Sequence, residues 1–294
     1  MPSFDLEPMV GAFGARVTGI DLSQPLDATA LTALRAAWLE HLVLVFPDQI
    51  LTPEQQIAAA DQFGRPCENP FVAGLPDYPV VIPIVKEAHD RLSFGEGWHS
   101  DQTYEAVPPK GSLLYMKEAP PVGGDTLWLS MYAAYEALSP AMQALLEGVV
   151  ANHYAGDAFG PKATFATRDA DQHSMTIKVS EAADEAVRHP LVCRHPDTGR
   201  KLLFVNPVFT RDLEGFSAEE SKALLSFLYS HQQDPRFATR HRWTVGDVVL
   251  WDNRCTQHSA NNDYHGHRRE AHRVTIAQEA AEWQRVWDGR PIAA

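Results

Sequence analysis

The sequence predicts a mainly β protein, an antiparallel barrel or jelly roll with flanking helices. Short apolar and β-branched runs recur between Gly, Pro and Asp turn signals, and long amphipathic stretches are few. The residues that could carry chemistry stand far apart, around His99 and around His258, so a common site requires a fold whose ends meet at one mouth. With 294 residues, 45% of them hydrophobic, the chain can bury a sizeable core.

The elements follow in order. Residues 15–21 form the first strand, bounded by Gly11, Gly14 and Gly19, whose spacing serves turns rather than a dinucleotide-binding loop. Asp27 caps a helix through Leu31, Leu34 and Trp38, which leads into an apolar strand at 42–46. Thr52-Pro53-Glu54-Gln55 is a capping box with proline at the first helical position, so a second helix runs toward Gly64. Residues 78–85 read as strand, and 86–96 as a polar loop that delivers the chain to His99.

A strand at 112–116 is followed by a turn at 120–125, and 126–128 returns to the sheet. Ser130 and Ser139-Pro140 open two short helices. Residues 155–188 show no clean period, and a connection of this length in a compact domain is a functional lid or a surface loop. Strands return at 191–194 and 202–205. Ser217-Ala218-Glu219-Glu220 is a second capping box, opening an amphipathic helix through Leu224, Leu225, Leu228 and Tyr229. Residues 242–251 read as a hairpin turning at Gly246-Asp247, and 271–277 is the last strand. No repeat divides the chain, so the expectation is one domain, 1–294, with 155–188 as a lid or active-site insertion.

Composition excludes several classes of function. A net charge of −13 and the lack of any Lys/Arg cluster argue against a nucleic-acid partner. No apolar run reaches the roughly 18 residues of a membrane helix, and the N-terminus lacks a secretory pattern. Cys67, Cys193 and Cys255 have no paired spacing. These features together predict a cytoplasmic protein without a membrane partner.

In an extended segment, side chains two apart face the same way, so His99 and Asp101 bring an imidazole and a carboxylate to one point. Such a pair alone is usually a polar strand edge. His258 would supply a second imidazole, and two histidines with one carboxylate form the set that holds non-haem Fe(II) with positions left open. The lack of thiolate disfavours a structural zinc site. Arg269 and Arg273 share a face of the last extended segment, so both look into the barrel, where each needs an anion or a buried carboxylate.

Four motifs, in this order, carry a resemblance over essentially the whole chain: Trp98-His99-Ser100-Asp101; Gly123-Gly124-Asp125-Thr126; Trp251-Asp252-Asn253-Arg254 with His258; and Arg268-Arg269 with His272-Arg273. The sequence resembles the taurine dioxygenase / 2,4-dichlorophenoxyacetate dioxygenase (TauD/TfdA) family of Fe(II)- and 2-oxoglutarate-dependent oxygenases. The resemblance implies a double-stranded β-helix, a cupin-like jelly roll, with Fe(II) on His99, Asp101 and His258 and with 2-oxoglutarate and O2 as cosubstrates. It implies that Arg269, through its planar fork, and Thr126, through its hydroxyl, grip the distal carboxylate of 2-oxoglutarate. Arg273 would meet the acidic group of a small anionic substrate.

The implied reaction hydroxylates a substrate C–H, with succinate and CO2 as co-products. The product collapses to an aldehyde or ketone where the hydroxylated carbon carries a leaving group. Gln102, Tyr104, Phe159 and Phe209 are candidates to line the substrate pocket, where aromatic walls suit an apolar or aryl body. The pattern of histidine, tyrosine and asparagine that grips taurine in taurine-specific members is not the one read at 68–72 and 95–97, so taurine is not the expected substrate. The resemblance also implies a homo-oligomer, dimer or tetramer. His265 and His267 are read as loop and rim residues and His272 as outward-facing. The rival readings are a metal-dependent hydrolase on the same jelly roll, which would have no use for Arg269 and Thr126, and a ligand-binding sensor, which would tolerate loss of a metal ligand.

Overall fold

The computed structural model describes residues 4–167 and 169–287. Its strands begin with β1 (Asp5–Pro8), β2 (Ala15–Thr18), β3 (Val43–Phe46), β4 (Pro66–Cys67), β5 (Val81–Lys86), β6 (Gly111–Glu118) and β7 (Thr126–Ser130). They continue with β8 (Val150–His153), β9 (Val187–Pro190), β10 (Val192–Arg194), β11 (Lys201–Leu203) and β12 (Thr210–Leu213). The last four are β13 (Ala238–His241), β14 (Val248–Asp252), β15 (Thr256–Ala260) and β16 (Arg269–Ile276).

Two sheets make the jelly roll. The larger runs β1-β2-β3-β14-β6-β16-β4, with β5 also paired to β16, and the smaller is β13-β7-β15. Nearly all neighbours are antiparallel; β2 and β3 run parallel. Between the sheets lie Val43, Val45, Leu114, Met116, Trp128, Trp243, Val249 and Trp251. On the far face of the large sheet, Leu44, Phe46, Leu113, Val248 and Leu250 pack against helices α1 (Ala28–His41) and α2 (Pro53–Asp61). Both faces of the central strands are therefore covered, which explains why Val248-Val249-Leu250-Trp251 is a continuous apolar run rather than an alternating one.

The capping signals hold. Asp27 accepts from the Ala30 N–H at 2.8 Å, and both capping boxes, at Thr52 and at Ser217, close reciprocally. The Ser217 box opens α3 (Ala218–Gln232), which buries Leu225 and Leu228 beside the short helix Met131–Glu136 begun by Ser130.

Three expectations change. Residues 242–251 are not a hairpin: β13 pairs with β7 in the small sheet and β14 with β3 and β6 in the large one, so the Gly246 turn crosses between sheets. Burial of both flanking segments hides this difference from a local pattern. The strand expected at 78–85 is β5, displaced toward its C-terminal end, and Lys86 is its buried last residue rather than the first of a loop. The His99 segment is an isolated bridge followed by a turn, because Gln102 takes a left-handed φ of 51°. Among the described residues no helix is long and apolar enough to cross a membrane.

Candidate active site

His99 and His258 face one another across an antiparallel bridge. The His99 N–H donates to the His258 carbonyl at 3.1 Å, and the His258 N–H returns the bond at 2.8 Å. Directly opposed residues project to one face, and the two imidazole centroids lie 4.3 Å apart. Asp101 joins them although no strand carries it there: its Oδ1 is 3.8 Å from His99 Nε2.

Asn253 holds Asp101 in place. The Asp101 N–H donates to Asn253 Oδ1 at 2.6 Å, while Asn253 Nδ2 donates to the carbonyls of Asp101 at 2.8 Å and Pro109 at 3.0 Å. One side chain thus clamps the backbone of the ligand-bearing turn. Its place between Trp251 and Arg254 was a visible motif, but its partner 152 positions away was not.

His99, Asp101 and His258 are all buried, and one ligand atom from each lies within 4.8 Å of the others. The Gly97 carbonyl, 2.9 Å from His99 Nδ1, fixes the proton on that nitrogen and leaves Nε2 with a lone pair on the Asp101 side. His258 Nδ1 has no hydrogen-bond partner. Burial, reinforced by the neighbouring His99, holds the His258 imidazole down to about 3. Burial alone would raise the Asp101 carboxyl, but the Arg273 guanidinium, helped by the Ser112 hydroxyl, outweighs it and brings it to about 2. Two neutral imidazoles and an ionised carboxylate converging in a buried cluster fit a divalent transition metal, and nitrogen/oxygen ligation suits iron.

Beside this cluster is a small cavity of about 30 Å³ whose lining includes Thr126, Trp251, Arg269 and Arg273. Thr126 Oγ1 accepts from Trp243 Nε1 at 2.9 Å, so its own proton is free to donate elsewhere. The Arg269 side chain crosses Gly124, where a Cβ would stand 3.4 Å from Arg269 Cδ and 3.3 Å from Tyr264 Cδ1. Gly124 also has a φ of 70°, so the Gly-Gly pair serves both the turn and that close approach. Arg273 also faces inward, and the carboxylate it meets is Asp101, at 2.7 Å.

A second cavity, of about 270 Å³, opens over His99 and is walled mainly by Phe94, Phe159, Phe165, Val208 and Phe209. Phe209 stands edge-on to His99, with ring centroids 5.9 Å apart. Tyr104 lies behind this wall, 4.9 Å from Phe209 and 6.0 Å from Phe159, and lies on the turn rather than on a strand shared with the ligands. Gln102 turns away into a separate cavity of about 570 Å³ with Arg65 and Cys67, because its left-handed backbone reverses the direction an extended chain would give. Nothing in the sequence singles out Phe94 and Phe165, which fall in stretches without periodicity.

A second buried group, His195, Asp252 and Cys255, is arranged differently. His195 Nδ1 accepts from the backbone N–H groups of Asp197 and Thr198, so Nε2 carries the proton and donates to Asp252 at 3.0 Å. Arg254 grips both oxygens of the same carboxylate. Its donors and acceptors are matched without a metal. His265 and His267 are exposed, and His272 bonds Glu270 on the outer face of β16.

The chain is also similar to known proteins. The family model described as "Taurine catabolism dioxygenase TauD, TfdA family" matches residues 5–275. The chain is 38% identical over 266 residues to an (S)-phenoxypropionate/alpha-ketoglutarate-dioxygenase of Sphingobium herbicidovorans, covering 88% of this chain and 90% of that one. It is 35% identical over 278 residues to an alkylsulfatase of Acinetobacter baylyi, covering 93% of this chain and 85% of the relative. A crystal structure of a taurine dioxygenase from Burkholderia xenovorans superposes with a TM-score of 0.78 at 33% identity, over 95% of this chain and 92% of that one.

Proposed function

The chain belongs to the TauD/TfdA family of Fe(II)- and 2-oxoglutarate-dependent dioxygenases, and on that premise we propose that His99, Asp101 and His258 hold its iron while Thr126 and Arg269 hold its 2-oxoglutarate. The enzyme uses Fe(II), 2-oxoglutarate and O2, and hydroxylates a C–H of a small anionic organic substrate with succinate and CO2 as co-products. The bound metal with its cosubstrates supplies the oxidising power.

The protein's own groups bind and orient. Asn253 and Ser112 fix Asp101 through its backbone and its Oδ2, and the Gly97 carbonyl fixes the His99 ring. Arg269 and the Thr126 hydroxyl offer a fork and a donor to a carboxylate in a site screened from water by Trp243 and Tyr264. The phenylalanine wall excludes water from the substrate side.

The observation that carries the reading is the buried convergence of His99, Asp101 and His258 within reach of Arg269 and Thr126. Arg273 is the group we assign to the substrate's acidic end. The apolar cavity of about 270 Å³ suits an aryl or alkyl body, in keeping with relatives named for phenoxypropionate and alkyl sulfate. In this reading the whole chain is one catalytic domain and 155–188 is its lid, since Asp157, Phe159 and Phe165 from that segment contribute to the cavity wall. It functions in the cytoplasm as a homo-oligomer, dimer or tetramer, which sedimentation would check. Ile50 and Val245, exposed on either side of the Gln49–Gly246 backbone bond, offer an apolar contact.

Anaerobic titration of the Fe(II)-loaded protein with 2-oxoglutarate tests the site. A weak visible charge-transfer absorption should appear in the wild type and weaken in Arg269→Ala. Bound iron without that absorption would return the hydrolase and sensor readings.

A further inference from the structure

Lys86 is a buried cation that the site as described leaves without a role. It ends β5, where the register sets it opposite Arg269 of β16. Ile84, two residues earlier on the same face, lines the small cavity with Arg269 and Thr126. Directly paired residues of neighbouring strands project to the same side, so the Lys86 and Arg269 side chains leave the sheet together at the Thr126 end of the barrel.

Neither cation is neutralised. Lys86 is 3% exposed and its Nζ has no hydrogen-bond partner; its nearest compensation is the Tyr264 ring, with the ring centroid 4.8 Å away. Arg269 is 4% exposed, and its Nε is also without a partner. Among the described residues no carboxylate lies within ion-pair distance of either. The Tyr264 ring faces Lys86, its Cδ1 borders the same space above Gly124 as Arg269 Cδ, and its hydroxyl is 3.2 Å from Ser93 Oγ. A cation–π contact offsets only part of the cost of burying an unpaired ammonium. Two such cations projecting from paired positions form a site suited to an anion.

We propose that Lys86 is the second cation of the cosubstrate's distal-carboxylate site: Arg269 meets that carboxylate through its fork, and Lys86, from the neighbouring strand, adds the charge that restricts the enzyme to dicarboxylic 2-oxo acids. This rests on the assignment of Arg269 to 2-oxoglutarate.

The test compares wild-type, Lys86→Met and Lys86→Arg proteins, metal-loaded, titrated with 2-oxoglutarate and separately with 2-oxobutyrate, which lacks the distal carboxylate. Lys86→Met should weaken 2-oxoglutarate about 10- to 100-fold, the scale of a buried charged contact, and leave 2-oxobutyrate unchanged. Lys86→Arg should stay close to wild type. The metal-free melting temperature of Lys86→Met should not fall, because the lost charge had no partner. Unchanged 2-oxoglutarate affinity, or equal loss for both acids, would overturn the role of Lys86. A wild type that does not favour 2-oxoglutarate over 2-oxobutyrate would overturn the Arg269 assignment and the lysine's role together.

Discussion

Arg273 donates to Asp101 Oδ1 at 2.7 Å, and the same oxygen lies 3.8 Å from His99 Nε2. One carboxylate oxygen thus faces both the guanidinium assigned to the substrate and an imidazole assigned to the metal. Asp101 Oδ2 is engaged by Ser112 Oγ at 2.8 Å. A metal drawn to Asp101 competes with Arg273 for Oδ1, and any weakening of that ion pair frees the guanidinium for an incoming anion.

Arg273→Leu should therefore act in opposite directions on stability and on metal affinity. Without metal, a buried carboxylate loses its counter-charge, which destabilises by about 3–5 kcal/mol. Removing the competing positive charge tightens Mn(II) binding, so the rise in melting temperature on adding metal should exceed that of the wild type. Turnover of any anionic substrate should fall through KM. A variant that melts like wild type without metal would show that the ion pair contributes little.

How far the site was legible in the sequence follows from where each group sits. His258, Thr126, Arg269 and Arg273 lie on regular strands, where period-two alternation says which way a side chain points. Gln102 was misdirected because one left-handed residue after Asp101 reverses the chain, and no local signal distinguishes it from an extended glutamine. Lys86 reads as a loop residue in the sequence because lysine disfavours burial, and only the register of β5 against β16 reveals its place. The barrel's apolar strands and the helix caps were visible as local patterns. The crossing between sheets at Gly246 was not, since it depends on pairings with β7 and β3 far away in sequence.

Acid should destabilise the fold before the carboxylates titrate. His153 and His189 pack edge to face, with centroids 5.3 Å apart, and burial lowers both, His189 from 6.5 to about 4. His189 donates from Nε2 to the Glu105 carbonyl, and its Nδ1 has no partner to receive a second proton. A folded-state value below the unfolded one means the contribution is complete above pH 6.5 and is lost as pH falls toward 4. For His189 the loss approaches about 3 kcal/mol. Urea midpoints from pH 7 to 4.5 should fall steeply in the wild type and more gently in His189→Leu.

Asp252 should matter for folding and not for chemistry. Arg254 Nε and Nη2 reach its two oxygens at 2.9 and 2.6 Å, and His195 adds a third bond at 3.0 Å, all out of solvent. Asp252→Leu strips Nε and Nη2 of the buried Arg254 guanidinium of their partners, leaving it only the half-exposed Asp197 carboxylate and Gln278 at Nη1, at a cost of about 3 kcal/mol. Whatever folded fraction remains should bind Mn(II) and 2-oxoglutarate with wild-type affinity, measured by calorimetry. Loss of metal affinity in that fraction would instead place Asp252 in the metal site.

Thr126 separates a structural hydrogen bond from a binding one. Its Oγ1 accepts from Trp243 Nε1 at 2.9 Å, and the remaining proton is the one assigned to 2-oxoglutarate. Thr126→Val preserves shape but leaves the buried indole N–H unpaired, costing about 1–3 kcal/mol of stability, and removes the donor, weakening 2-oxoglutarate about tenfold. Thr126→Ser keeps both bonds and should restore both quantities. Because the lost stability comes from the tryptophan side and the lost affinity from the cosubstrate side, a Thr126→Val/Trp243→Phe double variant should recover stability while its 2-oxoglutarate affinity stays low. If affinity recovers as well, the hydroxyl acts only by positioning Trp243 beneath Arg269, 5.8 Å from its ring centroid, and does not touch the cosubstrate.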